Sequence, residues 1–294
     1  MYNNYKVKVF IFAGRQATME LLMSQLVSPI IDEIILAKNT FNESDLRYLD
    51  SLQKTNEKVR CLELPYNIKQ DRHNAWKWLY QYMEDEDTIY FKIDDDVIFI
   101  EPGYFEKTCK FKVEHPEYIC VFPFIINNPF CNTLRPGTPL YKSNDSMFDK
   151  MYAGFYSADV AEMLHQEFIR FPYPERYRIP NRELSRNDVY FKDPRHPHTI
   201  TWICPWYEAE RIAINAICFF GAEFKALKVK DRIKECYSDE LWLTYNLFDY
   251  TSKKHCIYGD TLVSHFAFSG QTGLRERQRR ILPQYIPVIR KFYA

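Results

Sequence analysis

Three consecutive acids, Asp94, Asp95 and Asp96, follow the apolar run IYFKI and precede a second apolar run, VIFI. Like charges held this close together raise the pKa of at least one carboxyl group or require a cation. Carboxylate oxygens are the ligands that hard divalent cations such as Mg²⁺ and Mn²⁺ prefer. An acidic stretch can also be a solvated turn, but the apolar segments on both sides favour a metal site.

Two classes of phosphate chemistry compete for such an acidic cluster. Haloacid-dehalogenase-type phosphatases open their domain with a strand ending in DxDx and then Thr or Val. Here Ile98 stands at the fifth position and four strands are expected to end by this point, so the sequence disfavours that class. A nucleotidyltransferase would use paired acids and a metal-bound triphosphate. No Gly-rich phosphate loop precedes the acids, which makes this class the weaker alternative.

The elements that must position the acids alternate along the first hundred residues. Short β-branched runs alternate with longer segments of helical period, the pattern expected of βαβ units with a parallel sheet. The predicted strands are KVKVFIFA, DEIILAKN, VRCLELP and DTIYFKIDDD. The predicted helices are QATMELLMSQLV, ESDLRYLDSLQKT and DRHNAWKWLYQYM. The acids thus lie at the carboxyl end of the fourth strand, where ligands bind in open α/β sheets.

The second part of the chain loses this alternation. YICVFPFII predicts a strand, and SADVAEMLHQEFI predicts a helix that begins at a Ser or Asp cap. From Phe171 to Trp206, six prolines among aromatic residues and arginines predict extended or looped chain. ELWLTYNLF predicts a further helix, capped by Ser238 or Asp239.

Composition restricts the classes of partner. Lys plus Arg and Asp plus Glu both number 39, so no basic field draws the chain to nucleic acid or to an anionic membrane. No run of about 18 apolar residues predicts a membrane span. The eight cysteines lack zinc-site spacing, and the N-terminus lacks a signal peptide. These features predict free thiols and a reducing, cytoplasmic location.

The α/β half, the strand ending in KIDDDV and the later acids resemble glycosyltransferases of the GT-A fold, including glycosyltransferase-like sequences of fungi and large viruses. The resemblance covers most of the chain. It implies an α/β, Rossmann-like mixed central sheet flanked by helices in a single catalytic domain, 1–294. Residues 1–100 would bind the nucleotide-sugar, and 101–294 would form an elaborated acceptor-binding half with a C-terminal closing segment. The family's DxD motif holds Mn²⁺ or Mg²⁺ against the donor diphosphate, a role implied here for Asp94 and Asp96.

Two later segments imply further site residues. In family members an acidic pair before an aromatic helix supplies the catalytic base, and CYSDELWLTYNL implies this role for Asp239, with Glu240 as the alternative. The dipole at a helix start keeps a carboxylate ionised and ready to accept a proton, although capping alone also explains an acid there. A late histidine often completes the metal shell, which GDTLVSHFAFSGQTGLRER implies for His265. A buried structural histidine is the alternative.

The resemblance also implies a donor site along the first strands. Glycine at Gly14 would let the backbone approach a base or phosphate, although an ordinary strand-end turn explains it equally well. Asp95 can turn toward the ribose, and Arg275 with Arg277 can neutralise the leaving diphosphate unless RERQRR is only a solvated helix face. The residues expected to bind the donor are Ala13, Gly14, Arg15, Arg72, Asn74, Asp94, Asp95 and Arg275.

The acceptor is expected at the aromatic residues Trp202, Trp206 and Tyr207, whose faces suit the C–H surface of a sugar but are also typical of packed core. The predicted function is a metal-dependent glycosyltransferase that moves a sugar from a nucleoside-diphosphate sugar, expected to be UDP-linked, to a hydroxyl of a glycan or glycoconjugate. Direct displacement with one base predicts inversion, but the sequence also allows retention. A nucleotidyltransferase acting on a sugar phosphate and a non-catalytic carbohydrate-binding protein stay open as alternatives.

Overall fold

The computed structural model describes residues 1–64, 75–138, 144, 150, 154–185, 214–235 and 239–293. Within these ranges the strands form one mixed nine-stranded sheet in the order β3-β2-β1-β4-β8-β6-β9-β5, with β7 pairing on β9. The strands are β1 Lys6–Ala13, β2 Glu33–Lys38, β3 Val59–Leu62, β4 Thr88–Asp94, β5 Val97–Ile100, β6 Tyr118–Ile126, β7 Arg182–Leu184, β8 Ala216–Phe220 and β9 Lys254–His265.

Helices flank this sheet. They are α1 Gln16–Met23, α2 Glu43–Thr55, α3 Ala75–Leu79, α4 Tyr104–Glu114, α5 Pro129–Leu134, α6 Ala158–Arg170, α7 Gly221–Ala226, α8 Val229–Arg232, α9 Asp239–Thr244, α10 Thr272–Glu276 and α11 Gln278–Tyr293. None of these helices is long and apolar enough to cross a membrane.

The first four strands are parallel wherever they pair with one another, as the alternating sequence pattern predicts. β1 lies between β2 and β4, and β2 pairs with β3. Most side chains of β1, β2 and β4 are buried on both faces, which is typical of strands covered by crossover helices. The α/β prediction for this half is therefore confirmed.

Antiparallel and parallel pairings mix beyond β4. β8 pairs antiparallel with both β4 and β6, while β6 and β9 run parallel. β5 and β7 pair antiparallel with β9. Since β8 runs antiparallel to β4, the amino end of β8 lies beside the carboxyl end of β4. His265 is the last residue of β9 and pairs with Val97 of β5. The predicted mixed sheet is thus confirmed.

Several predicted elements match the structure at their ends. The helix α2 begins after Asn42, whose side chain accepts the backbone N–H groups of Ser44 and Asp45, and α6 begins after Ser157, whose hydroxyl accepts the N–H of Val160. α1 ends at Met23, shorter than predicted, because Gln25 turns inward and its side chain bonds the backbone of Ile98 and Ile100.

The helix predicted over ELWLTYNLF is also shorter than expected. α9 ends at Thr244, and a 3₁₀ turn follows at Asn246–Asp249. In the proline-rich segment, the described residues 171–185 contain a 3₁₀ turn, Pro174–Tyr177, and the short strand β7. The rest of that segment and the start of the DRHNAWKWLYQYM helix lie outside the described residues.

The cysteines agree with the prediction of free thiols as far as they are described. Five of the six described cysteines are buried, Cys61 is partly buried, and all six are unpaired.

Candidate metal and catalytic site

A cleft of about 330 Å³ opens where the carboxyl ends of β1, β4 and β9 meet the segment before β8. Seven of the predicted site residues line it, namely Arg15, Asp94, Asp96, Asp239, Glu240, His265 and Arg275. The cleft is therefore the place where residues 260 positions apart in the chain come together, as the sequence analysis predicts.

Asp94, Asp96 and His265 form the one group of three or more His, Cys, Asp or Glu side chains among the described residues that could hold a metal ion. Each offers one ligand atom, and these atoms all lie within 4.8 Å of one another. His265 Nε2 lies 3.1 Å from Asp96 Oδ1. Two neighbouring ligands of one octahedral cation are about 3 Å apart when each metal–ligand distance is near 2.1 Å. The donor set and this separation fit a divalent cation.

Backbone hydrogen bonds hold the acidic turn in place. Asp94 ends β4, and its N–H donates to the carbonyl of Asn215 at 2.8 Å. Asp95 and Asp96 form the turn into β5, and the N–H of Phe266 donates to the carbonyl of Asp96 at 2.8 Å. The two ends of the acidic turn are thus bonded to the chain before β8 and to the chain after β9.

Arg15, predicted to contact the donor, lies on the acidic turn. Its Nε donates to Asp95 Oδ1 at 2.7 Å, its Nη1 donates to Asp96 Oδ2 at 2.6 Å, and its Nη2 also reaches Asp95. The side chain is 46% exposed, whereas the side chains of Asp95 and Asp96 are almost fully buried. One guanidinium therefore compensates two buried carboxylates and still borders the cleft.

The two acids that contact Arg15 differ in their ionisation. Burial raises the pKa of Asp95 to about 6, because the charge of Arg15 offsets it only in part. Burial also acts on Asp96, but the charges of His265 and Arg15 outweigh it and hold the pKa of Asp96 well below its ordinary value. Asp96 therefore stays a carboxylate, as a metal ligand must. The Asp95 carboxylate accepts hydrogen bonds from Arg15. The contact between Asp95 and a ribose stays a prediction.

Lys92 is a buried cation beneath Asp94 that the sequence analysis misses. Its Nζ bonds Asp94 Oδ1, donates to the carbonyl of Ile214 at 3.1 Å, and lies 5.2 Å from the centre of the Phe12 ring. Burial lowers the pKa of Lys92, but the charges of Asp94 and Asp239 raise it by more. The net shift is upward, so the side chain stays charged. The alternation of side chains along a strand, which puts positions 92 and 94 on one face, could have indicated this pair.

Asp94 has a second partner on its other side. Asn215 Nδ2 donates to Asp94 Oδ2 at 3.0 Å, so each carboxylate oxygen of Asp94 accepts one hydrogen bond. Each oxygen has two acceptor sites, which leaves lone pairs for a cation. No motif in the sequence indicates Asn215, because its place beside Asp94 depends on the pairing of β8 with β4.

Asp239, the predicted base, is the first residue of α9. Its Oδ1 accepts the N–H of Glu240 at 2.9 Å, and the hydroxyl of buried Tyr80 donates to its Oδ2 at 3.3 Å. Burial and the negative charge of Asp94 raise the pKa of Asp239, and the positive charge of Lys92 lowers it. The net shift of this pKa is upward. The expectation that the helix dipole keeps this carboxylate ionised is therefore corrected, because burial and the charge of Asp94 give a net upward shift of its pKa.

The two arginines predicted to bind phosphate lie in different surroundings. Arg275 is exposed at the cleft, whereas Arg277 forms ion pairs with Asp159 and Glu162 on α6, both at 2.7 Å. Arg277 therefore fixes α10 to α6 rather than facing the cleft.

Gly14 and Ala13 lie at the end of β1, where the structure explains the glycine without a ligand. A Cβ on Gly14 would come within 2.9 Å of the carbonyl oxygen of Asn39. Ala13 is fully buried, and its carbonyl accepts the N–H of Asn39 at 2.7 Å. The close approach at Gly14 is thus to the chain after β2, which agrees with a strand-end packing requirement.

Five predicted residues cannot be compared with the structure. Arg72, Asn74, Trp202, Trp206 and Tyr207 lie outside the described residues. Two aromatic side chains of the cleft, Trp76 and Phe268, are not among the predicted site residues. Trp76 lies two positions after Asn74, and Phe268 lies three positions after His265.

Comparison with known proteins gives a fold and no family. No family model matches the sequence. No curated protein matches it either. The crystal structure of GalNAc-T7 with UDP, GalNAc and Mn²⁺ superposes with a TM-score of 0.52 and 15% identity, covering 92% of this chain and 45% of that chain. This chain therefore spans less than half the length of the GalNAc-T7 chain.

Two further structures superpose more loosely. The 4-diphosphocytidyl-2C-methyl-D-erythritol synthase of Anaerococcus prevotii DSM 20548 gives a TM-score of 0.46 at 13% identity and covers 95% of this chain and 96% of that chain. The CMP:2-keto-3-deoxy-manno-octonic acid synthetase complexed with CTP gives 0.42 at 9% identity, covering 96% of this chain and 100% of that chain.

The class of fold is GT-A-like, a Rossmann-like mixed sheet flanked by helices, as the resemblance implies. The DxD-like group of the resemblance is also present, as Asp94 and Asp96 beside His265.

Proposed function

We propose that this protein is a metal-dependent glycosyltransferase that moves a sugar from a nucleoside-diphosphate sugar, expected to be UDP-linked, to a hydroxyl of a glycan or glycoconjugate. The observation that carries the proposal is one cleft containing both a possible cation site, Asp94, Asp96 and His265, and the acid pair at the start of α9. Such a cleft supplies the two functions that sugar transfer from a diphosphate needs, charge stabilisation and proton removal.

Asp94, Asp96 and His265 would hold the cation. When bound, a divalent metal would stabilise the charge that develops on the leaving diphosphate. The nitrogen of His265 favours Mn²⁺ over Mg²⁺, because Mg²⁺ is bound almost entirely by oxygen ligands. Lys92 and Arg15 partly neutralise the acids, so the site can form without a large repulsion between its carboxylates.

Asp239 would remove the proton from the acceptor hydroxyl. A raised pKa makes a carboxylate a stronger base, and the proton can be accepted at Oδ2, which Tyr80 also contacts. Glu240, which also lines the cleft, is the alternative base. With one base, the acceptor hydroxyl would displace the diphosphate directly from the anomeric carbon, which predicts inversion of configuration there. The anomeric configuration of the product tests this prediction.

The remaining predicted residues complete the proposal. Arg275, exposed at the cleft, would attract the leaving diphosphate, and the end of β1 would lie along the donor nucleotide. Residues 101–294 would carry the acceptor-binding half of a single catalytic domain, with the acceptor at Trp202, Trp206 and Tyr207. A cytoplasmic location stays a prediction.

The experiment is a screen of nucleotide-sugars for Mn²⁺-dependent hydrolysis, since slow donor hydrolysis needs no known acceptor. The purified chain, stripped of metal and then supplied with Mn²⁺, is expected to release nucleoside diphosphate from at least one donor. The matched reaction contains nucleoside triphosphates and a sugar phosphate. Release of pyrophosphate there, with no nucleoside diphosphate from any donor, would contradict the proposal and favour the nucleotidyltransferase alternative. Binding of glycans without either release would favour a carbohydrate-binding protein.

A further inference from the structure

A set of buried polar side chains lies behind the segment that follows His265. Its members are His165 on α6, Tyr285 on α11 and Ser264 on β9, and all three are fully buried. None of them lines the cleft. Because burying polar groups is costly unless they are hydrogen-bonded, their partners indicate what the set is for.

His165 connects this set to the backbone beside the metal group. Its Nε2 lies 2.8 Å from the carbonyl oxygen of Phe266, and its Nδ1 lies 2.8 Å from the hydroxyl of Tyr285. A carbonyl oxygen can only accept, so Nε2 carries the proton and donates it to Phe266. Burial lowers the pKa of His165 to about 4, and the imidazole is therefore neutral near pH 7.

The neutral ring fixes the direction of every other hydrogen bond in the set. With its proton on Nε2, the ring accepts at Nδ1, so the hydroxyl of Tyr285 donates to His165. Ser264 Oγ lies 2.9 Å from the same hydroxyl and must then donate to it. The order runs from Ser264 through Tyr285 and His165 to the Phe266 carbonyl, and every donor has an acceptor.

Phe266 joins this set to the acidic turn. Its N–H donates to the carbonyl of Asp96 at 2.8 Å, while its own carbonyl accepts from His165 and, at 2.7 Å, from Asn127 Nδ2. The residue directly after His265 is therefore bonded on one side to Asp96 and on the other side to α6. Rotation of this backbone would change the separation between the side chains of His265 and Asp96.

We propose that His165 is a positioning residue for the metal site: by holding the Phe266 carbonyl it orients His265 toward Asp96. The inference rests on the proposed metal-binding function of Asp94, Asp96 and His265. His165 does not touch the cation or the substrate, and it acts through the backbone of one residue, Phe266.

The test compares two amide substitutions that differ only in reach. The side-chain nitrogen of glutamine lies at about the position of Nε2, whereas that of asparagine lies at about the position of Nδ1. His165→Gln can therefore still donate to Phe266, and His165→Asn cannot. Mn²⁺ affinity is measured on the metal-free full chain by electron paramagnetic resonance, with the melting temperature measured in parallel. Loss of a group that orients a metal ligand typically weakens binding about tenfold or more, which is the loss expected for His165→Asn. His165→Gln should restore an affinity close to that of the wild type.

Three outcomes are decisive. If wild-type protein and both variants bind Mn²⁺ equally and differ only in melting temperature, His165 is a structural residue and the inference is wrong. If His165→Gln binds as weakly as His165→Asn, the donor to Phe266 is not what matters and the inference is also wrong. If the wild type itself binds no Mn²⁺, the proposed metal site fails, which is a different result from a failure of the His165 inference.

A second pair of variants applies if His165→Asn does not fold. Tyr285→Phe removes the donor to His165 Nδ1 and leaves the ring free to change its tautomer. Tyr177→Phe is the control, because the buried Tyr177 hydroxyl has no hydrogen-bond partner among the described residues. Weaker Mn²⁺ binding by Tyr285→Phe than by Tyr177→Phe is expected, and equal binding would overturn the inference.

Discussion

The two sides of the cleft treat their carboxylates in opposite ways. On the metal side, His265 and Arg15 outweigh burial and lower the pKa of Asp96. On the other side, burial outweighs Lys92 and raises the pKa of Asp239. Two acids whose surroundings move their pKa values apart are suited to different tasks, one as a permanent anion and the other as a group that takes up a proton.

The supports of the two sides differ as well. Asp96 lies in the turn after β4 and His265 is the last residue of β9, and the backbone bond between Phe266 and Asp96 ties these two segments together. Asp239 begins a helix of six residues whose preceding residues, 236–238, lie outside the described residues. In the proposed function, cation binding would depend on side chains bonded into the sheet, whereas proton removal would depend on local charge. A substitution on one side of the cleft tests whether the other side responds.

Asp96→Asn is expected to have the largest effect. It removes a charged ligand, and a metal ion contributes several kcal/mol to the stabilisation of a leaving phosphate, so donor hydrolysis should fall about a thousandfold. Steady-state release of nucleoside diphosphate measures the loss. Asp231→Asn, which removes an exposed acid paired with Lys234, is the matched control and should leave the rate unchanged. A normal rate in Asp96→Asn would contradict the metal assignment.

Asp239→Asn changes the other side. Loss of a general base typically costs about 10²- to 10⁴-fold, so kcat for transfer should fall by that amount. Donor affinity, measured by calorimetry, should stay near the wild-type value because the metal side is intact. Glu240→Gln is the companion variant and should retain most activity. If Glu240→Gln loses transfer and Asp239→Asn does not, Glu240 is the base.

Lys92→Met tests the charge that lies between the two sides. Lys92 lowers the pKa of Asp239, so its removal should raise that pKa further. A base is active when deprotonated, and the acidic limb of the kcat profile should therefore move to higher pH. Lys225→Met, which removes an exposed lysine paired with Glu86, serves as the control. An acidic limb at the wild-type pH in Lys92→Met would show that Asp239 does not govern transfer.

The smallest expected effect concerns stability and acid pH. The pKa of His165 is lowered to about 4 in the folded chain from an ordinary value of 6.5. Between these two values the unfolded chain binds more protons, so the stability that the neutral ring contributes is complete above pH 6.5 and is lost as the pH falls. The free energy of unfolding should drop by about 2.5 kcal/mol from this group by pH 4.5.

Urea denaturation of wild type and His165→Gln across this pH range isolates the contribution, because glutamine does not titrate. The drop in the free energy of unfolding across this range should be larger in the wild type than in His165→Gln by that amount. Parallel slopes would mean that His165 is not buried as a neutral ring.

The sequence predicts the parts of this molecule that local pattern determines. The run DTIYFKIDDD indicates both β4 and the acids at its end, and SADVAEMLHQEFI indicates α6 with its Ser157 cap. These succeed because strand burial and helix capping involve neighbours in the chain. His265 and Asp239 come from resemblance to a family, and the structure brings both to the cleft of Asp94 and Asp96.

What sequence reasoning misses depends on contacts between distant segments. Strand alternation indicates that Lys92 and Asp94 share a face, but the contact of Lys92 with the Ile214 carbonyl depends on the pairing of β8 with β4, and Asn215 has no local signal at all. Likewise Gly14 is explained by the carbonyl of Asn39 on the neighbouring strand end, which only the parallel pairing of β1 and β2 brings close.

The central claim is that Asp94, Asp96 and His265 bind a divalent cation that meets a nucleoside diphosphate in this cleft. Electron paramagnetic resonance of Mn²⁺ added to the metal-free protein tests it directly, with and without UDP. We expect one bound Mn²⁺ per chain, a spectrum that changes when UDP is added, and neither effect in Asp96→Asn. A wild-type spectrum that remains that of the free aqueous ion, with UDP present, would contradict it.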